Sequence, residues 1–343
     1  MLFSIQYMRG LAAIFVLIYH ASHKQVQIAG FGNEWSFGAS GVDLFFIISG
    51  FIMCHVTAHK NIAPREFLVA RCTRILPLYW SLSLFALAVY LIEPGMINSS
   101  GGTTTILNSF TLIPTGDKFL IQNGWTLSYE FLFYFIFSAS LLKWCENRLL
   151  FVTITMTCFT AVGDFLHPTN PTLQFVTSKM LLEFLMGIVA HIYIKSERNN
   201  SKFSVFLIVI GIAIMTLGSL SASPNQRVVW YGLPYALLFS GLVSLENTVK
   251  FVSTSLIGRA MRIIGDASYS IYLSHPFVLS TVGIILKRFH MQSATAFSIA
   301  TMTITSVAAG YVCYIVVETN LNRLARKITA HPATIRDSAP SQT

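Results

Sequence analysis

The chain has 343 residues, of which 54% are hydrophobic and 11% charged. Soluble domains carry about a quarter charged residues, so this composition excludes an ordinary soluble protein and indicates a polytopic membrane protein. The formal net charge of +9 does not indicate a nucleic-acid partner, because the basic residues sit in short loops between apolar runs, where they set topology.

Apolar runs long enough to span a bilayer, or nearly so, fall at about 5–20, 41–58, 76–92, 125–142, 149–166, 176–194, 204–220, 229–246, 268–286 and 295–317. They predict an all-α, integral membrane helical bundle of about ten transmembrane helices. The first run faintly resembles a signal peptide, but no small-x-small cleavage site follows it (the sequence continues HASHKQVQ), so it reads as a retained span. Segment 93–123, containing NSSGGTTT, is loosely bounded, and 106–114 is expected to dip into the interface. With the N-terminus inside, most of the 23 lysines and arginines fall on that side, among them Arg9, Arg65, Arg71, Arg74, Arg198, Arg323, Arg326 and Arg336. The positive-inside rule therefore selects N-in/C-in. The domain reading is one transmembrane unit over 1–320 and a polar, partly disordered cytoplasmic tail over 321–343. No internal repeat or nucleotide-binding loop of the P-loop or Rossmann type is present.

Ionisable residues inside the apolar runs are costly in lipid and are functional candidates by default. The first run reads RGLAAIFVLIYH, with Arg9 and His20 eleven positions apart. Eleven helical steps of ~100° exceed three turns by about 20°, so the two side chains share a face, roughly 16 Å apart along the axis. An arginine snorkelling at one membrane edge with a histidine at the other fits the pair equally well. The second run opens GVDLFFIISGF, which puts Asp43 at a depth similar to His20. There it either orients the imidazole as a general base requires or caps the helix. Arg71 and Arg74 in LVARCTRILPLYW are i, i+3 neighbours, suited to a phosphate or pyrophosphate and equally to topology anchors. Glu130 in WTLSYEFLFYF must be protonated, paired or beside water, and Arg9 is one candidate partner. GDASYSIYLSHPF gathers Asp266, Ser268, Tyr269, Tyr272 and His275. Tyr269 and His275 are expected to line substrate or serve structure. His55, His59, Asp164, Glu183 and His191 show no convergent pattern. There is no HExxH-type spacing, and the five cysteines have no CxxC spacing. The cysteines therefore indicate neither a disulfide framework nor a zinc site.

RGLAAIFVLIYH, GVDLFFIISGF, LVARCTRILPLYW, WTLSYEFLFY and GDASYSIYLSHP, followed by Glu318 just past the last span, occur in the order and kind found in the membrane acyltransferase-3 family. The resemblance covers about residues 5–320. It implies an O-acyltransferase of surface carbohydrates such as exopolysaccharide, O-antigen or peptidoglycan, in the cell inner membrane. It implies a functional Arg9/His20 motif, with Arg71 and Arg74 holding the phosphate-bearing part of acyl-CoA. Some relatives carry an extracytoplasmic SGNH hydrolase-like domain. The sequence looks like the stand-alone type, similar to exopolysaccharide-production ExoZ-like proteins, with a separate partner protein or an oligomer left open. The expected reaction takes the acyl group of acetyl-CoA to a sugar hydroxyl. His20, oriented by Asp43, acts as base in a direct transfer, or is itself acylated first and passes the group on, and Arg9 binds the donor. No metal is expected. No GxSxG elbow supports a serine nucleophile. The competing reading is a transporter or flippase of a polysaccharide precursor, which also places polar residues in helices but would commonly show internal repeats.

Overall fold

A computed structural model describes residues 2–58, 60–97, 102–196, 200–221 and 226–329, without the side chains of 219–221. His59, Arg198, Arg336 and the tail from 330 onward lie outside the described residues. In chain order the helices are α1 (Phe3–Ala29), a 3₁₀ turn (Ser36–Ser40), α2 (Gly41–Thr57), α3 (Pro64–Ile92), α4 (Pro94–Ile97), α5 (Ile106–Thr111), α6 (Gly124–Ala139), α7 (Arg148–Leu166) and α8 (Pro171–Val176). They continue with α9 (Leu181–Lys195), α10 (Ser201–Ser221), a π-helical turn (Val228–Gly232) leading into α11 (Leu233–Ser244), α12 (Glu246–Val252) and α13 (Leu256–Asp266). α14 (Ser268–Arg288), α15 (Thr295–Cys313), a second π-helical turn (Tyr314–Glu318) and α16 (Thr319–Thr329) complete the order.

Local chemistry sets the boundaries. α1 stops at Gly30, whose left-handed φ of 77° lets its N–H return to the Val26 carbonyl. Asn147 and Ser255 accept hydrogen bonds from the first turns of α7 and α13, and Asn170 does so for α8, where Pro171 follows at the first helical position.

Among the described residues, seven helical stretches are long and apolar enough to cross a membrane: Ser36–Thr57, Pro64–Ile92, Arg148–Leu166, Pro171–Lys195, Ser201–Gly218, Ser268–Arg288 and Thr295–Thr329. An eighth is added if Val228–Ser244 and Glu246–Val252, bent by 77°, make one span. The protein is therefore a multi-pass membrane helical bundle. The other two predicted spans are helical too, as α1 and α6, but fall short of that criterion. α6 has 16 residues, about 24 Å against a hydrocarbon core of about 30 Å. α1 carries Gln6, Arg9, His20, His23, Lys24 and Gln25. Both pack largely against protein. α1 touches α2, α11, α13, α14 and α15, while α6 lies against α2, α3, α7 and α9. A helix sheltered in this way does not need an apolar surface all round.

One of the tightest crossings joins α2 and α9. A Cβ built on Gly50 would sit 2.1 Å from the Phe184 carbonyl oxygen, and one on Gly187 would sit 2.1 Å from the Ile47 oxygen. Small residues allow this backbone approach, as at other membrane helix crossings. Gly187→Val is expected to force the helices apart at a cost of about 1–3 kcal/mol. The variant should show an earlier thermal transition in detergent, and an unchanged transition would disprove the crossing.

Candidate active site

Among the described residues, three cavities bear on the site. A basic vestibule of about 840 Å³ is lined by Gln6, Arg9, Arg74, Asp266, Glu318 and three cations of α16, Arg323, Arg326 and Lys327. A narrower cleft of about 110 Å³ is lined by Arg9, Arg71, Arg74, Glu130, Tyr269 and Tyr272, among others. Arg9, Ile52 and Arg74 belong to both walls, so the vestibule opens into the cleft. A third cavity, about 460 Å³, contains His20, His23, Lys24, Asn123 and His275.

Two helices carry the site from end to end. On α1, Arg9 lies at the vestibule and cleft, and His20, eleven residues on, lies at the third cavity. On α14, Tyr269 and Tyr272 line the cleft and His275 the third cavity. Spacings of three residues keep Tyr269, Tyr272 and His275 along one stripe of the helix. Tyr272 stands where the cleft and the histidine cavity approach. Its Oη shares a 2.8 Å hydrogen bond with Thr126 Oγ1, and its carbonyl accepts one from Asn123 Nδ2 at 2.6 Å.

The two histidine rings face each other with centroids 5.1 Å apart. His275 is 1% exposed, its Nδ1 lies 3.1 Å from the Ile271 carbonyl oxygen, and its Nε2 has no hydrogen-bond partner. A carbonyl can only accept, so Nδ1 carries the proton and Nε2 presents a lone pair. Sequence spacing brought Tyr272 and His275 together but gave no sign that His275 meets His20.

Asp43 is not the partner of His20. Its carboxylate, 0% exposed, is gripped by Arg227, with Nη2 to Oδ2 at 2.6 Å and Nε to Oδ1 at 3.0 Å. Arg227 Nη2 also donates to the Ala39 carbonyl at 2.9 Å. The expectation of an Asp43–His20 dyad rested on equal depth in the membrane. Depth does not fix the angle around the bundle, and Asp43 faces α11 rather than the histidines. The arginine comes from immediately before the first π-helical turn, a geometry common at functional positions. Glu183 of α9, fully buried with neither carboxyl oxygen hydrogen-bonded, belongs to the same electrostatic cluster.

Glu130 accepts from Tyr134 Oη at 2.5 Å and from Ser49 Oγ at 3.2 Å. It lines the cleft with Arg9 without an ion pair between them, so the expected Glu130–Arg9 contact is replaced by hydroxyl donors. Tyr269 Oη donates to the Ile75 carbonyl at 2.8 Å, tying α14 to α3. Arg71 and Arg74 share the cleft, but only Arg74 reaches the vestibule. Arg71 lies 5.7 Å from the Phe67 ring centroid, and its Nε is buried without a partner. Glu318 closes the second π-helical turn at the vestibule wall and accepts from Ser270 Oγ at 2.6 Å. Asp164 instead makes an exposed pair with Lys179 at 2.9 Å. Among the described residues no cluster of three or more His, Cys, Asp or Glu could hold a metal.

Within the loosely bounded segment, residues 102–123 border the histidine cavity as a cap, contributing Leu120, Ile121, Gln122 and Asn123 to its lining. Thr103 and Thr105 hydroxyls donate to the Asp117 carboxylate and hold its pKa below the usual carboxylate value. Tyr79 of α3 fastens the cap from below by donating to the Ser109 carbonyl at 2.6 Å.

A multi-pass bundle with a basic mouth, a cleft and a further cavity holding the His20–His275 pair is an arrangement suited to a membrane group-transfer enzyme. The sequence pattern of the acyltransferase-3 family, described as an acyltransferase domain, matches residues 2–317, and the chain belongs to that family. It is 28% identical over 325 residues to the exopolysaccharide production protein ExoZ of Rhizobium meliloti (strain 1021), covering 92% of this chain and 98% of that protein. It is 26% identical over 305 residues to the O-acetyltransferase OatA of Staphylococcus aureus (strain NCTC 8325 / PS 47), covering 78% of this chain and 49% of OatA, so it spans about half that protein's length. Protein 2 in the picA locus of Rhizobium radiobacter is 29% identical over 178 residues, 45% of this chain and 87% of that protein. No solved structure matches. The protein is thus a membrane O-acyltransferase.

Proposed function

We propose that this enzyme moves an acyl group, acetyl in the simplest case, from cytosolic acyl-CoA to a hydroxyl of a surface carbohydrate such as an exopolysaccharide, in the cell inner membrane. In this reading the chain is N-in/C-in, α1 and α6 cross with the other spans, and the basic vestibule faces the cytosol. The observation that carries it is the placement of Arg9 and His20: one helix lines the donor-side mouth with the first and the far cavity with the second. The likeness to an exopolysaccharide production protein, ExoZ, and to an O-acetyltransferase, OatA, supports this choice of acceptor and acyl classes.

The donor's charged end sits in the vestibule, where Arg9 and Arg74 make no ion pair with a described residue. Its linear pantetheine arm enters the smaller cleft past Arg71, Glu130 and Tyr269. To reach the histidines the thioester must pass Tyr272. This means opening its hydrogen bond to Thr126, a cost of about 1 kcal/mol. The acceptor hydroxyl enters the larger cavity and attacks the thioester carbonyl carbon. His20 takes the hydroxyl proton as the carbon–sulfur bond breaks, and that proton leaves with the CoA thiolate. An acyl-His20 intermediate is the two-step form of the same reaction. Asp43 serves the scaffold through Arg227 and has no part in the proton transfer.

The test is label transfer: proteoliposomes holding the purified protein, radiolabelled acetyl-CoA on the vestibule side and the host polysaccharide as acceptor. Acid-stable sugar-linked label supports the proposal. Absence of both acetyl-CoA binding and glycan labelling would overturn the choice of donor and acceptor.

A further inference from the structure

The helix that ends the described chain is built in two halves. At ~100° per residue, Leu321, Leu324 and Ile328 of α16 fall within about 60° of one another, and Arg323, Arg326 and Lys327 cluster on the opposite side. The sequence reading treated this stretch as the start of a polar tail, but its periodicity is that of an interfacial amphipathic helix. Such a helix ordinarily offers its basic face to lipid headgroups. Here Leu324 and Ile328, 55% and 75% exposed, stand apart from the vestibule, while Arg323, Arg326 and Lys327, exposed as well, form part of its open wall. The inward turn follows from how α16 is anchored: it packs against α3, the helix that carries Arg74, and against the π-helical turn that ends in Glu318.

The vestibule therefore gathers Arg9, Arg74, Arg323, Arg326 and Lys327 in one concavity against the acidic Asp266 and Glu318, and Glu318 is already occupied by Ser270. None of those five cations forms an ion pair with a described residue. Like charges held together in a concave wall repel unless an anion joins them, and such a wall focuses the field that draws the anion in. A buried acceptor at the same wall, Gln6 Oε1, on a residue only 5% exposed, lacks a donor. An anion that also carries N–H groups, as an adenine nucleotide does, would answer both needs.

We propose that the basic face of α16, Arg323 with Arg326 and Lys327, forms with Arg74 the binding site for the nucleotide phosphates of the acyl donor. α16 is then a strap across the donor mouth, and Arg71, which lines only the cleft, faces the arm of the donor and not its phosphates. The inference rests on the acyl-CoA reading above.

The experiment is calorimetric binding of CoA, and of pantetheine as the phosphate-free control, to the full-length protein in phosphatidylcholine nanodiscs. No residue of α16 is buried, so the triple variant R323Q/R326Q/K327Q retains the fold. It should bind CoA about tenfold or more weakly, since each charged hydrogen bond contributes more than a neutral one. Its binding should depend less steeply on salt, its affinity for pantetheine should be unchanged, and R323K/R326K should keep most of the CoA affinity. Equal CoA binding by the triple variant and wild type would overturn the proposal. So would a triple variant that loses only its preference for phosphatidylglycerol nanodiscs, which would make the face a lipid-headgroup site. A wild type that binds no CoA at all would instead overturn the donor reading itself, and this proposal with it.

Discussion

Replacing Arg227 with methionine is expected to cost the protein about 3–5 kcal/mol of stability, the penalty for stranding a buried charge whose partner has been removed. Asp43 is 0% exposed, and Glu183 beside it is equally buried, so the variant leaves two carboxyls without their cation. Asp43→Asn should be milder, about 3 kcal/mol, because the stranded group is then an arginine whose side chain is 31% exposed and can recruit water. The double variant Asp43→Asn/Arg227→Met should recover part of the loss, since it removes both charges of the pair and leaves only Glu183 without its cation. Thermal unfolding of the four proteins in detergent reads the cycle. Label transfer per folded molecule separates scaffold from chemistry: Asp43→Asn should lose folded protein and keep its specific activity. An Asp43→Asn protein that folds like wild type but no longer transfers label would return Asp43 to the catalytic group.

That cluster also shows where sequence reading stops. The apolar runs located the helices, because a lipid-facing surface must be apolar whatever the helices pack against. The polar-studded α1 and the short α6 were legible from the same runs, even though length and apolarity alone do not certify them. The Arg9–His20 spacing was legible because a helix has a fixed period. Partners across helices were not. Asp43 was matched to His20 by depth, one coordinate of three, while nothing in NQRVVWYG singles out Arg227 as its partner. It is the π-helical turn after Arg227 that accompanies its inward placement, and no residue pattern marks that turn. Glu183 lacked a partner for the same reason. In α16 the signal was present as periodicity, but the basic composition of the segment concealed it.

His20→Ala should lower the acyl-transfer rate by about 10²–10⁴-fold, the contribution of a positioned general base, without weakening CoA binding. The split is expected because His20 lines only the far cavity, whereas the cations of the donor mouth lie at the other end of α1. His275→Ala should leave CoA affinity equally untouched and cost up to about 10²-fold, the loss expected when a neighbouring group no longer fixes the reacting geometry. The reason lies in the tautomer. With Nδ1–H committed to the Ile271 carbonyl, Nε2 of His275 is a buried lone pair lacking a donor, and the ring 5.1 Å away is His20. A small movement that closes the two rings lets His275 accept a hydrogen bond from His20. That bond turns the lone pair of His20 toward the acceptor hydroxyl, and the imidazolium formed as the proton moves is stabilised by its neutral partner. Single-turnover transfer with saturating acetyl-CoA measures both variants without interference from product release. If His20→Ala transfers at the wild-type rate while His275→Ala is inactive, the roles are reversed, and the unpartnered Nε2 of His275 is itself the base.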